Sequence, residues 1–125
     1  MNALVLASTD GTLEFSTGMQ DPVAGPGEAL VHLQAAAVNR RDCWLTRGGY
    51  PNIQAPCILG SDGAGIVEAV GKGVDPSWIG KQVVIYPSLD WGESQNAQGS
   101  DFRILGMPDH GTFAEKISVP AHQLT

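Results

Sequence analysis

The sequence predicts a mainly β fold, a small barrel or sandwich with one or two short helices. Three observations predict it. Apolar residues mostly alternate with polar ones instead of recurring at helical spacing, as half-buried strands require. Sixteen Gly and eight Pro punctuate the 125 residues, which favours turns and short strands over long helices. Only one stretch, Arg40–Arg47, carries both a helix start and a helix stop.

Asn2–Ala7 and Thr12–Ser16 form a predicted hairpin, joined by Ser8-Thr9-Asp10-Gly11 with its Asp-Gly turn signal. In Glu28–Val38, Val31, Leu33 and Ala35 face one side while His32 and Gln34 face the other. The helix over Arg40–Arg47 takes Asn39 as N-cap, has Asp42 in its first turn near the positive end, and stops at Gly48-Gly49. Gly65–Val70 and Lys81–Tyr86 are strands rich in β-branched residues. Thr112–Val119 is another, with Phe113, Ile117 and Val119 in phase, although Ala114 and Glu115 break the alternation. Pro87–Pro108 is polar and irregular around Asn96-Ala97-Gln98-Gly99-Ser100 and is expected to form an exposed excursion.

Composition narrows the function. A chain of this length is one domain, able to bury about two-thirds of its unfolded surface. Hydrophobic content of 42% and charged content of 16% suit a globular chain rather than a disordered one. A net charge of −6 with only seven Lys and Arg argues against nucleic acid, because phosphate binding needs clustered cations. No run approaches the ~20 apolar residues of a membrane helix, and Met1 leads straight into Ala3-Leu4-Val5-Leu6 without a basic, signal-like flank. Cys43 and Cys57 fall short of a disulfide framework and both read as buried structural thiols. A reducing cytoplasm is the expected compartment.

Several ordered fragments then carry a resemblance. They are Pro26-Gly27-Glu28-Ala29-Leu30-Val31, Ala37-Val38-Asn39-Arg40-Arg41-Asp42, and Leu59 through Gly71 with its run Gly60-Ser61-Asp62-Gly63-Ala64-Gly65. Gly80-Lys81-Gln82-Val83-Val84, Gly111-Thr112-Phe113-Ala114-Glu115 and Val119-Pro120-Ala121-His122-Gln123-Leu124 follow. Together they resemble the first domain of medium-chain alcohol dehydrogenases and quinone reductases. The resemblance implies a GroES-like, partly open β-barrel over residues 1–125, serving as the substrate domain. It also implies a Rossmann domain following shortly after Thr125, so the chain by itself is expected to be inactive. Gly63-Ala64-Gly65 is only a near miss to a dinucleotide fingerprint, since Glu68 holds the third position and a strand follows. A glycine pair that lets two backbones approach closely is the better account.

The resemblance also assigns site residues. The zinc branch of the family carries a Cys at the Asn39 position and Gly-His-Glu at Gly60-Ser61-Asp62, so two expected ligands are missing and no zinc is expected. Pro87–Pro108 holds no cysteine, so the structural zinc of the family is not expected either. Asn39 resembles a polar cleft residue whose amide donates to a carbonyl oxygen gaining charge; its competing role is helix N-cap. Tyr50 resembles a cleft aromatic able to hydrogen-bond a carbonyl, and Trp44 a flat wall for a quinone or enone. Ser61 and Asp62 are placed at the substrate; for Asp62, local hydrogen bonding is favoured over ordering the cleft or binding a cation. Arg40 is placed toward the cofactor diphosphate, whereas Arg41 and Arg47 read as solvated surface charges. An acid–base pair of Asp109 and His110 is less favoured than two solvated turn residues.

The implied function is a zinc-independent, NADPH-dependent reduction of quinones, activated alkenes or carbonyls by hydride transfer. NADPH rather than NADH is an expectation of the branch. The expected partners are a nicotinamide cofactor, a small-molecule substrate and the Rossmann domain, without nucleic acid or membrane; homo-oligomer formation stays open. Two other readings compete. One is a zinc alcohol dehydrogenase with atypical ligands such as Cys43, Asp62 and His110. The other is a stand-alone barrel acting as a binding or assembly module.

Overall fold

The computed structural model describes residues 1–125. Nine strands and one α-helix form three small antiparallel sheets. The hairpin is present: β1 (Ala3–Leu6) pairs with β2 (Leu13–Ser16), with Leu4 opposite Phe15. Its turn is held by Asp10, whose carboxylate accepts from the Thr12 amide at 2.9 Å, the Thr12 hydroxyl at 2.7 Å, and the Ser8 hydroxyl. Along its other edge β1 pairs with β4 (Cys57–Ile58), giving the order β2-β1-β4.

The main sheet runs β6-β5-β3-β9. Its centre is β3 (Glu28–Ala37) against β5 (Asp62–Val70), with β6 (Gln82–Ile85) and β9 (Lys116–Pro120) as flanks. The β3–β5 register shifts twice, between Leu30 and Val31 and between Leu33 and Ala35. Such bulges bend a strand and re-aim its side chains. Hence the alternation read from the sequence ends at Leu33: Val31 is buried, but Gln34 through Val38 are all exposed. Gly65 sits at this crossing, where a Cβ would collide with the His32 carbonyl. At Gly65 that is the close backbone approach expected of the Gly63–Gly65 pair, whereas Gly63 faces the Thr112 and Leu33 side chains.

The strand expected over Thr112–Val119 begins only at Lys116. Gly111, Thr112 and Phe113 instead donate their amides to the Ile58, Gly60 and Leu59 carbonyls, an irregular pairing that takes Phe113 out of phase with Ile117 and Val119. The excursion also differs from expectation. Residues 90–101 are exposed, yet it contains the two-residue strands β7 (Ser88–Leu89) and β8 (Arg103–Ile104). Leu89, Leu105 and Met107 from its two ends are buried.

The core has three parts. The largest gathers Val31, Val67, Ile85, Ile117 and Val119 from the main sheet with Leu89 and Leu105. A second packs Leu6, Leu45, Cys57, Leu59 and Met107 beneath the helix, and a third joins Ala3, Val5 and Ile58. No helix is long and apolar enough to cross a membrane.

Candidate active site

Helix α1 (Arg40–Leu45) is two residues shorter than the expected Arg40–Arg47. Leu45, fully buried against Leu6 and Leu59, ties it to the second core; burying a leucine contributes about 1.5–3 kcal/mol. Asn39 occupies the N-cap with extended backbone, φ −109° and ψ 158°. The buried Asp42 accepts the Asn39 amide through Oδ2 at 2.7 Å, which satisfies a backbone donor that a helix start would otherwise leave free. With its backbone held this way, Asn39 turns its side-chain amide to Asp62, donating to Oδ2 at 2.9 Å. The sheet register makes the contact, because Ala37 of β3 stands opposite Asp62 of β5.

Arg41 overturns its reading as a solvated charge. It is half-buried and bridges three segments. Nε donates to Tyr50 Oη at 3.1 Å, Nη1 to the Leu105 carbonyl at 3.2 Å and Ser61 Oγ at 3.4 Å, and Nη2 to the Met107 carbonyl. Its Cζ lies 4.9 Å from the Tyr50 ring centre, within cation–π range. No carboxylate pairs with it. Its backbone-carbonyl partners are 64 and 66 residues away in sequence, so no local pattern announces them.

The other expected residues divide. Ser61 is 4% exposed and donates to the Leu105 carbonyl at 2.8 Å. Tyr50 is half-buried against the second core. The structure therefore joins Asn39 to Asp62 directly, and Tyr50 to Ser61 through Arg41. Trp44, 46% exposed, and the exposed Arg40 lie on α1 outside this network. Arg40 has no carboxylate partner, which leaves its guanidinium free for an anion.

Asp109 and His110 make no acid–base pair. Asp109 binds Arg103 at 2.7 Å, and His110 Nδ1 accepts the Ile58 amide at 3.2 Å. The cysteines behave differently from one another. Cys57 is 1% exposed, and burial pushes its thiol up to about 11. Cys43, expected to be buried, is exposed on α1, where Leu45 and Asp42 occupy the inward face instead.

A cleft of about 620 Å³ lies elsewhere, between residues 19–23, β9 and Arg103–Gly111. Four of its charged groups are already paired, Arg103 with Asp109 and Lys116 with Asp21. The Asn39–Arg41–Tyr50 region has the more available chemistry.

At the zinc-branch positions Asn39 and Ser61 supply neither thiolate nor imidazole, and Asp62 supplies the one carboxylate. Zinc takes thiolate, imidazole or carboxylate. Here Asn39 presents an amide already donated to Asp62, and the Ser61 hydroxyl is buried on a carbonyl. Cys43, Asp62 and His110 do not converge, and no three His, Cys, Asp or Glu side chains form a metal-binding group.

Comparison with known proteins identifies the family and the fold. Residues 25–125 match the alcohol dehydrogenase GroES-like domain family. A zinc-type alcohol dehydrogenase-like protein of Schizosaccharomyces pombe is 39% identical over 100 residues, covering 79% of this chain and 29% of that protein. The quinone oxidoreductase of Mus musculus is 29% identical over 104 residues, covering 82% of this chain and 31% of its own length. A solved NAD-dependent alcohol dehydrogenase superposes with a TM-score of 0.88 at 36% identity, covering all of this chain and 39% of that one. The chain thus spans about a third of the length of these three proteins.

Proposed function

The chain belongs to the alcohol dehydrogenase GroES-like domain family of the medium-chain dehydrogenase/reductase superfamily, and from that premise we propose that residues 1–125 are the substrate domain of a zinc-independent, NADPH-dependent reductase of quinones or activated alkenes and carbonyls. The observation that carries the zinc-free reading is the use of Asn39 and Ser61: both are neutral hydrogen-bonding groups with internal partners. Relatives of this chain include a protein named as zinc-type and one named a quinone oxidoreductase, and the donor chemistry favours the second.

In this reading the site works by shape and hydrogen bonding. Tyr50 and the Asn39–Asp62 pair supply polar contacts to a substrate oxygen, Trp44 supplies a flat wall, and Ser61 acts through Arg41. Arg40, free of carboxylates, would meet the cofactor diphosphate in bidentate fashion. A bound nicotinamide would supply the hydride, held mainly by a Rossmann domain beyond these residues, in a reducing cytoplasm.

The test uses the complete product of the source reading frame. Quinone-dependent NADPH oxidation, with zinc well below one per chain after dialysis, is the expected result. Stoichiometric zinc that survives dialysis overturns the zinc-free reading. A product that neither binds nor oxidises NADPH overturns the reductase and favours the binding-module reading.

A further inference from the structure

Tyr50 has a hydrogen-bonding asymmetry that the fold imposes. Its oxygen accepts the Arg41 Nε–H at 3.1 Å, and a guanidinium has no acceptor to offer in return. The phenol proton therefore cannot be used on Arg41, and no carbonyl or other side chain of the chain takes it. The guanidinium is itself immobilised by Ser61 Oγ and by the Leu105 and Met107 carbonyls. With no carboxylate to neutralise it, its charge is met by carbonyl dipoles, the Ser61 and Tyr50 hydroxyl oxygens and the face of the Tyr50 ring.

We propose that Arg41 is a positioning residue that fixes Tyr50 Oη as acceptor, turns the phenol proton outward, and presents it to the acceptor oxygen of a neutral carbonyl compound. The proposal rests on the reading of Tyr50 as a cleft residue. It accounts for a half-buried arginine without a counter-ion: a lysine lacks the fork that reaches a hydroxyl and two carbonyls together. A neutral oxygen acceptor suits the free proton, and the nearby cation strengthens the O–H as donor.

The chain has two tyrosines, Tyr50 and the exposed Tyr86, so labelling tyrosine Cζ with carbon-13 gives two signals, one of them an internal reference. The probe is acetophenone, added without nicotinamide so that no hydride donor is present. Acetophenone is expected to move the Tyr50 signal and leave that of Tyr86. Arg41→Met should displace the Tyr50 signal before any ketone is added and weaken the ketone response about tenfold, with Arg41→Lys failing to restore either. Tyr50→Phe should abolish the ketone's effect on the Arg41 Nε–H resonance and displace that resonance in the free chain.

An Arg41→Met chain with unchanged Tyr50 signal and ketone response overturns the proposal while leaving the Tyr50 reading intact. A ketone effect on Arg41 that survives Tyr50→Phe, or a wild-type chain whose Tyr50 never responds, overturns the Tyr50 reading and the proposal with it. If the Arg41 variants fail to fold, folded Tyr50→Phe decides: an unmoved Arg41 Nε–H resonance overturns the proposal.

Discussion

The Asn39 side-chain amide donates to the Asp62 carboxylate across 2.9 Å, closing the corner between the end of β3 and the start of β5. Asn39 therefore joins the helix cap to the sheet, and its chemistry can be tested by charge. Asn39→Asp sets a second carboxylate against Asp62. The neighbour raises carboxylate pKa in the folded chain above the unfolded value, so stability is kept at low pH and lost as pH rises through the carboxylate range. Because Asp62 is exposed, the loss at pH 7 should be about 1 kcal/mol or less. Urea midpoints at pH 3.5 and 7 check it; an equal deficit at both would refute charge repulsion.

The two thiols should separate cleanly. Cys43 is exposed and Cys57 buried, so a thiol reagent at pH 8 should label one cysteine per native chain and the second only on unfolding. Cys43→Ser should remove the fast reaction.

Cys57 also makes a pH prediction. Its thiol is pushed from 9.0 to about 11 by burial. A thiol raised in the folded state deprotonates first in the unfolded one, so stability falls as pH rises from 9 toward 11. Cys57→Ala should flatten that part of the curve, measured by thermal unfolding between pH 8 and 11, while lowering stability throughout by leaving a small void.

Gly65→Ala should cost about 3 kcal/mol, since its Cβ would meet the His32 carbonyl, a backbone atom that cannot swing aside. Gly73→Ala is the contrast: nothing lies near its Cβ, but its φ of 88° is positive, so it should cost only about 1 kcal/mol from backbone strain. Chemical unfolding of both variants measures the difference, and equal losses would contradict the crowding.

The hairpin turn should be acid-sensitive. Hydrogen bonds from the Ser8 and Thr12 hydroxyls, with the Thr12 amide, lower Asp10 from 3.8 to about 2. A depressed carboxylate contributes stability above the unfolded value and loses it as pH falls through the folded one. The Gly11 and Thr12 amide resonances should therefore shift between pH 4 and 2, and Asp10→Ala should abolish that transition.

Features governed by neighbours a few residues apart were legible in the sequence. The Asp-Gly hairpin formed because Asp10 satisfies its own turn, and α1 started at Asn39 because Asp42 lies three residues on. The glycine pair at the β3–β5 crossing, the short strands and the family fragments follow from the same local spacing. Periodicity failed where the chain bends. The bulges in β3 ended the alternation after Leu33, and Gly111–Phe113 took amide partners from Ile58–Gly60 instead of a strand partner.

The sequence by itself determined a mainly β domain of short strands, one capped helix and its family. The tertiary structure alone decided that Arg41 leaves solvent for Tyr50, Ser61 and two carbonyls, that Ser61 turns inward, and that Cys43 faces out while Cys57 is buried. It also drew Leu89, Leu105 and Met107 into the core from a segment that reads as exposed. Local order follows from steric and hydrogen-bonding rules acting over a few residues. Those other outcomes depend on which distant segments the sheet register brings together, and a single sequence carries no local mark of that.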